Sequence, residues 1–216
     1  MDDITLTLIV ILVTGLLVIL IFVLVGRNRS EQEKRLAQMA LERGWKHEIV
    51  REPLVYGQRL HHNQWTLELL NTSSGTSAAP GSSTVVSSTV WRAPQTGSTI
   101  LIGRRTSQAD LGGLGDALIH SILEMALGNE ADGLVEVSAG TENFRKNFMI
   151  WTRDTETAKK LVTPFFESAL LKWKNTSPML KRTTKGLQIE LHDTRLKKVE
   201  DIEILVKLGD LLLSQE

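Results

Sequence analysis

The segment WKHEIVREPLVYGQRLHHNQWTLELL, residues 45–70, decides the fold of this chain. Its pattern predicts short strands at residues 45–50 and 54–60, which a proline separates. The polar run at residues 61–64 is predicted to turn the chain into a third strand, residues 65–70. The segment therefore predicts the start of an antiparallel meander.

The remainder of the domain alternates strand and helix patterns. Further strands are predicted at residues 84–91, 98–105, 134–137 and 147–151, and a hairpin turns at Lys185-Gly186. Helices are predicted at residues 111–127, 155–161, 164–174 and 200–213. These elements predict an α+β fold, a mostly antiparallel sheet with helices packed on one side, behind an N-terminal transmembrane helix.

The transmembrane helix is predicted from Ile4 to Val25, 22 residues without a charged side chain. A helix of this length spans a hydrocarbon core of roughly 30 Å. Asp2 and Asp3 precede the run, whereas a cleaved signal peptide begins with basic residues. We therefore expect a retained single-pass anchor whose partner is the lipid bilayer.

Charges flanking the anchor predict its orientation. Five basic residues follow it closely: Arg27, Arg29, Lys34, Arg35 and Arg43. No basic residue precedes it, so the positive-inside bias places the N-terminus outside the plasma membrane and the domain in the cytoplasm. The contrary orientation would make Asn71 and Asn175 glycosylation acceptors, and the charge pattern disfavours it.

Three regions follow from these patterns. Residues 1–26 are the anchor, residues 27–44 form a juxtamembrane helix, and residues 45–216 form the α+β domain with a flexible loop at 71–83. The juxtamembrane helix is predicted to begin at the capping box Ser30 to Glu33 and to end at Gly44, a left-handed cap.

Composition excludes several function classes. Lys+Arg and Asp+Glu both number 25, so the chain has no basic excess for nucleic acid, and we expect no nucleic-acid partner. Without cysteine, the chain has no disulfides, thiolate metal sites or cysteine nucleophile. We predict no cofactor.

Several motifs occur in an order that resembles a known type of protein. These are Glu42 to Trp45, Val55 to Gly57, Trp151 to Asp154, Leu161 to Pro164, Gly186 to Ile189 and the closing helix. In this order they resemble a widespread family of uncharacterised bacterial single-pass membrane proteins with an α+β soluble domain. The resemblance implies the fold and no catalytic residue, and the helix at 111–127 is not part of its pattern.

Three histidines are the candidate metal ligands. His47, His61 and His62 could hold a divalent metal with Glu48 or Glu68 if the first strands pair. However, adjacent residues of an extended chain point to opposite faces, and an exposed polar turn is the favoured interpretation.

Two further motifs are weak candidates for chemistry. Gly112 to Asp116 opens a helix, but it lacks the Lys-Ser/Thr of a phosphate loop. The serines of residues 82–88 offer hydroxyl groups without a nucleophile elbow or a positioned base. We therefore assign no catalytic residue.

Basic residues near the last hairpin form a candidate lipid patch. They are Lys181, Arg182, Lys185, Arg195, Lys197 and Lys198. Such a cluster could bind anionic headgroups, or it could be a solvated rim balanced by neighbouring carboxylates.

Taken together, these patterns predict a membrane-tethered, non-enzymatic interaction or scaffold module with a protein partner that the sequence does not specify. The alternatives are a binding domain for anionic lipid or a small ligand, and a metal-dependent hydrolase built on the histidines.

Overall fold

The computed structural model describes residues 3–74, 84–105, 115–173, 176 and 178–214. The chain divides into two compact units, Met1–Gly44 and Trp45–Glu216. Three predicted features lie partly or wholly outside the described residues: the tip of the loop at 71–83, the glycine-rich start of the helix at 111–127, and Asn175.

The first unit is one helix, α1, Asp3–Glu42. The predicted helix start at Ser30 is wrong, because the backbone is helical on both sides of this residue. A helix that already continues through Ser30 pairs the local amides with preceding carbonyls, so it needs no cap there. The predicted end is confirmed: Gly44 takes a φ of 70° and its N–H donates to the Leu41 carbonyl at 3.1 Å.

Large apolar side chains are exposed along α1. Their exposed fractions lie between 45 and 65%, and they are Leu12, Val13, Leu16, Leu17, Val18, Leu20, Ile21 and Val23. Within the parts of the chain that the structure describes, no helix is long and apolar enough to cross a membrane. The side chains at 4–11, 19, 22, 24 and 25 lie outside those parts, and the membrane span stays a prediction.

The second unit is built on an antiparallel sheet. Its nine described strands are β1 (Lys46–Arg51), β2 (Val55–His61), β3 (Thr66–Ser74), β4 (Thr84–Ala93), β5 (Ile100–Arg104), β6 (Val135–Glu136), β7 (Phe148–Thr152), β8 (Pro178–Thr183) and β9 (Gly186–Leu191). Their order is β1-β2-β3-β4-β9-β8-β5-β7-β6, and every pair is antiparallel. The α+β prediction and the meander β1 to β4 are therefore confirmed.

Five helices of this unit are described. They are α2 (Gly115–Leu127), α3 (Glu142–Asn147), α4 (Thr155–Leu161), α5 (Pro164–Lys172) and α6 (Val199–Leu213), and a 3₁₀ turn, Gly128–Ala131, follows α2. Asp154 caps α4 by accepting the Thr157 N–H at 3.0 Å, as its position predicts. α3 was not predicted, because it is shorter than two turns and its single buried residue, Phe144, gives no periodic pattern.

The end of β3 and the order of the strands in the sheet differ from what local patterns predict. Asn71 begins the predicted loop, yet β3 continues through it to Ser74 because the residues pair with β4, including Asn71 with Ser87. The hairpin of β8 and β9 inserts between β4 and β5, which are consecutive in sequence. Local patterns do not determine such long-range pairing.

One face of the sheet, called here the apolar face, carries the main core. Trp91, Ile189, Leu180 and Ile102 are register partners on four adjacent strands, and all are buried. α6 packs closely here, since a side chain at Gly209 would clash with the Trp91 ring.

α2 packs on the opposite face, called here the polar face. Leu123 and Leu127 of α2 form a cluster with Leu101 of β5 and Met179 of β8. Leu101 adjoins Ile102, whose side chain lies on the apolar face, so the two point in opposite directions. The expectation that all helices lie on one side is therefore wrong, because Leu101 and Met179 offer α2 a second apolar surface.

Candidate binding cleft

The polar face carries a ladder of charged side chains across four strands. Arg59 of β2 bonds Glu68 of β3 at 2.9 Å and lies 3.5 Å from Glu48 of β1. Arg92 of β4 completes the ladder through a short contact with Glu68. Cross-strand pairs of this kind each contribute modestly to sheet stability, and they leave this face hydrated.

A cleft of about 730 Å³ lies on this face between the end of the ladder and the end of α2. Its floor is a row of register partners from four strands: Thr66, Arg92, Gln188 and Lys181. Its walls come from the β2–β3 turn, the end of β4, the end of α2 with the residues that follow it, and the β8–β9 turn. The wall residues are His62, Asn63, Gln64, Trp65, Ala93, Pro94, Met125, Ala126, Leu127, Gly128, Glu130, Thr183, Lys185, Gly186 and Leu187.

Glu130 fixes the wall that follows α2. Its carboxylate accepts from Thr99 Oγ1 at 2.8 Å and from the Thr184 hydroxyl and N–H at 2.7 and 3.1 Å. The hydrogen bond from the Thr184 side chain lowers the pKa of the Glu130 carboxyl, which is therefore ionised at neutral pH. Arg153 Nε also donates to the Asp132 carbonyl at 2.8 Å, so the 3₁₀ turn is held from two sides.

The opposite rim is attached to α6. Burial raises the pKa of the Asp210 carboxyl, while the nearby His62 and a hydrogen bond with Trp65 act in the opposite direction. The His62 and Trp65 rings lie 5.3 Å apart. These contacts connect the β2–β3 turn to the C-terminal helix.

The charged residues that line the cleft are three cations and one anion. Arg92, Lys181 and Lys185 face Glu130, so the lining carries a net charge of +2 when His62 is neutral. Arg92 contacts Glu68 through Nη1. Among the described residues, the ammonium groups of Lys181 and Lys185 form no salt bridge. The lining therefore carries an excess of positive charge, and the ammonium groups of Lys181 and Lys185 are available to a ligand, whereas Arg92 is already paired with Glu68.

The structure does not assemble the predicted histidine metal site. His61 Nε2 lies 3.1 Å from Glu48 on the polar face. His47 pairs with Leu60, the residue before His61 on β2. Because successive strand residues alternate between faces, His47 points to the face opposite His61. No group of three His, Cys, Asp or Glu side chains among the described residues could hold a metal ion. Strand alternation thus separates His47 from His61.

The six basic residues of the predicted lipid patch are also separated. Lys181 and Lys185 lie together in the cleft, whereas Arg182 is only 8% exposed and donates to the Ser98 carbonyl at 3.0 Å. Arg195, Lys197 and Lys198 follow the other end of β9. A single patch is therefore not formed, because Lys181 and Arg182 point to opposite faces and β9 separates the remainder.

The other sequence candidates acquire structural roles where they are described. Asn71 is a buried strand residue that accepts a hydrogen bond from Ser87 at 2.7 Å. Gly115 begins α2 and Asp116 follows it, while residues 112–114 lie outside the described part. None of the described residues of these two motifs lines the cleft.

Sequence reasoning missed Arg92, Gln188 and Glu130. Arg92 and Gln188 each follow a buried strand residue, Trp91 and Leu187, and this alternation was the available signal for the polar face. Glu130 lies in the short turn after α2. No local sequence pattern predicts its contact with Thr184, which lies 54 residues further along the chain.

Comparisons with family models, curated proteins and solved structures give no match to this chain.

Proposed function

We propose that this protein is a membrane-tethered, non-enzymatic binding module. In this proposal residues 4–25 anchor the chain in the plasma membrane with the N-terminus outside, and the cytoplasmic domain binds its partner or ligand in the cleft. The observation that carries the proposal is the cleft itself, a concavity of about 730 Å³ with a floor of side chains from four strands.

The electrostatics of Glu130 favour a structural role for this carboxylate over acid–base catalysis. Efficient general acids and bases have pKa values near the working pH, whereas the carboxyl group that lines the cleft has a lowered pKa. Glu130 also has hydrogen-bond partners in Thr99 and Thr184, which suits a structural acceptor.

The exposed apolar side chains of α1 support the anchor. Leaving a large apolar surface in water is unfavourable by about 25 cal/mol for each Å². Soluble monomers rarely expose a contiguous patch of such side chains as Leu12, Leu16 and Leu20. A lipid environment removes this penalty.

Fractionation of cells that express the full chain tests the anchor. The protein should remain with membranes after alkaline carbonate washing and should be released by detergent. Replacing Leu12, Leu16 and Leu20 with lysine should move it to the soluble fraction, because each charge at the centre of a span costs about 2.5–3.5 kcal/mol.

Leu41→Lys is the matched control. Leu41 lies on the same helix beyond the predicted span and is 81% exposed, so this variant should stay with the membranes. Soluble wild-type protein would overturn the anchor, as would membrane retention of the triple-lysine variant.

Affinity capture tests the binding function. The detergent-solubilised full chain should retain a reproducible partner or ligand, and Gln188→Trp should lose it because the larger side chain fills the cleft floor. Lys160→Trp, at an exposed position of α4, should retain it. Equal recovery with both variants, or no recovery with the wild type, would contradict the proposed use of the cleft.

A further inference from the structure

We infer that the cleft is a binding site for a phosphate monoester, which Arg92, Lys181 and Lys185 hold at its positive floor and rim. The inference rests on the proposed function in one respect, namely that the cleft binds a ligand. It adds the chemical class of that ligand and the residues that recognise it.

The register of the sheet places the cations around one position. Arg92 pairs with Gln188, and Gln188 pairs with Lys181, so all three side chains leave the same face on adjacent strands. Two strand spacings separate the Arg92 and Lys181 backbones by about 10 Å. Two long cationic side chains across this distance leave room between them for one phosphate group.

Lys185 adds a third cation at the wall that the β8–β9 turn forms. It lies in the β8–β9 turn, two residues beyond Thr183, and both residues line the cleft. Its charge contributes to the lowered pKa of Glu130, which places the ammonium group within electrostatic range of that wall. Glu130 is held by Thr99 and Thr184, so it does not neutralise Lys185 through a direct salt bridge in the described structure.

Charge favours phosphate over a single carboxylate. The lining carries three positive charges and one negative charge, but the charge of Arg92 is offset by its salt bridge with Glu68. Among the described residues, Lys181 and Lys185 form no salt bridge, so their two ammonium groups are the positive charges that a ligand would meet. A phosphate monoester carries about −1.5 to −2 charges at pH 7 and offers three acceptor oxygens, whereas a carboxylate carries one negative charge. Arg92 contacts Glu68 through Nη1, and a guanidinium group has further N–H donors that suit two phosphate oxygens.

The volume leaves space for more than the phosphate. About 730 Å³ lies within the range of about 300–1,000 Å³ that is typical of small-molecule sites. Met125, which is 80% exposed, and Pro94 give this space an apolar border. The same phosphate chemistry occurs in a soluble phosphate monoester and in the headgroup of phosphatidic acid, so the test must separate these two sources.

Lysine reactivity measures occupancy of the site directly. The full chain in non-ionic detergent micelles is acetylated briefly, and the rate at each lysine is read by mass spectrometry with glycerol 3-phosphate or glycerol present. Acetylation of Lys181 and Lys185 should slow with glycerol 3-phosphate alone. Lys207, an exposed residue of α6, should react at an unchanged rate.

A second arm places the full chain in nanodiscs of phosphatidylcholine with or without phosphatidic acid. Protection by glycerol 3-phosphate in micelles identifies a soluble monoester as a ligand. Protection only in nanodiscs that contain phosphatidic acid identifies the lipid headgroup. No protection of Lys181 and Lys185 in either arm overturns the inference.

Paired variants separate a built site from general charge attraction. Replacing Lys181 and Lys185 with glutamine should raise the dissociation constant of glycerol 3-phosphate, measured by isothermal titration calorimetry, by about tenfold or more, because each lysine would donate a charge-assisted hydrogen bond to the phosphate. The matched control, Lys197→Gln with Lys198→Gln, removes the same charge outside the cleft and should leave the constant unchanged. An equal loss in both double variants would overturn the inference.

The two proposals can fail separately. Capture that depends on Gln188, combined with no phosphate protection, would keep the binding module and reject the phosphate. Thermal unfolding of each variant, followed by tryptophan fluorescence, verifies that the folded state is retained. Lys181 is half-buried and Lys185 is exposed, and neither forms a salt bridge among the described residues, so glutamine is expected to change stability little at both positions.

Discussion

The two faces of the sheet use neighbouring residues of the same strands for opposite purposes. On β9, Ile189 is buried in the core of the apolar face, while Gln188 lies on the floor of the cleft. On β8, Leu180 and Lys181 are divided in the same way. Burial of apolar surface stabilises the fold on one face, and the other face can therefore carry charges and a cleft.

Substitutions at adjacent positions of β9 should show the largest contrast. Ile189→Ala should lower the free energy of unfolding by about 2–5 kcal/mol because it leaves a cavity beside Leu180 and Trp91. Gln188→Ala should change it by less than about 0.5 kcal/mol. Urea unfolding of the full chain in detergent, followed by tryptophan fluorescence, measures both. Similar losses would contradict the division of roles between the faces.

Overpacking under α6 should have the next largest effect. Gly209→Ala places a methyl group against the Trp91 ring, and relief of the clash should cost about 1–3 kcal/mol of stability. Lys207→Ala on the exposed side of α6 serves as the control and should be nearly neutral. A neutral Gly209→Ala would show that α6 is not closely packed on Trp91.

The charge ladder should contribute less. Glu68 lies between Arg59 and Arg92 and its side chain is 18% exposed, so Glu68→Gln should lower stability by about 1 kcal/mol. The loss should shrink in high salt, because salt screens exposed charges. Glu52→Gln, in the exposed β1–β2 turn, is the comparison variant. A loss that persists undiminished in high salt would mean that packing, not charge, is the cause.

The smallest expected effect is a change in pH dependence. The pKa of Glu130 is held below its ordinary value of 4.5, mainly by the hydrogen bond from the Thr184 side chain. Its carboxylate therefore contributes stability above pH 4.5 that is lost as the pH falls through the folded-state pKa. Glu130→Gln should be less stable than wild type at pH 7, and the difference should disappear in acid.

Thermal unfolding midpoints across the acid range measure this difference. Glu142→Gln, at an exposed carboxylate of α3, is the comparison variant. If the difference in unfolding midpoint between Glu130→Gln and wild type stays constant across the acid range, the contribution of Glu130 to stability does not depend on its ionisation.

Local patterns were sufficient for most elements of the fold. The strands at residues 45–70, the cap at Asp154 and the closing helix follow from side-chain period and capping chemistry, which act over a few residues. Two errors have a common origin. The start at Ser30 and the loop start at Asn71 were each overridden by a continuing helix or by a pairing strand.

The cleft was less predictable than the fold. Lys181 and Lys185 are recognisable in the sequence as basic residues, but their positions group them with Arg182 and Lys198. Only strand alternation and pairing distinguish the two that reach the cleft from Arg182, which bonds Ser98 on the other face. Arg92 comes from a distant strand, so no local pattern could connect it with Lys181.

The sequence by itself determined the apolar run at residues 4–25, the antiparallel meander and the α+β class, because each depends on the order of nearby side chains. Tertiary structure alone decided that β8 and β9 enter between β4 and β5 and that α2 covers the second face. Those choices depend on the free energy of burying surfaces that lie far apart in the chain, and together they bring Arg92, Lys181 and Lys185 to one cleft.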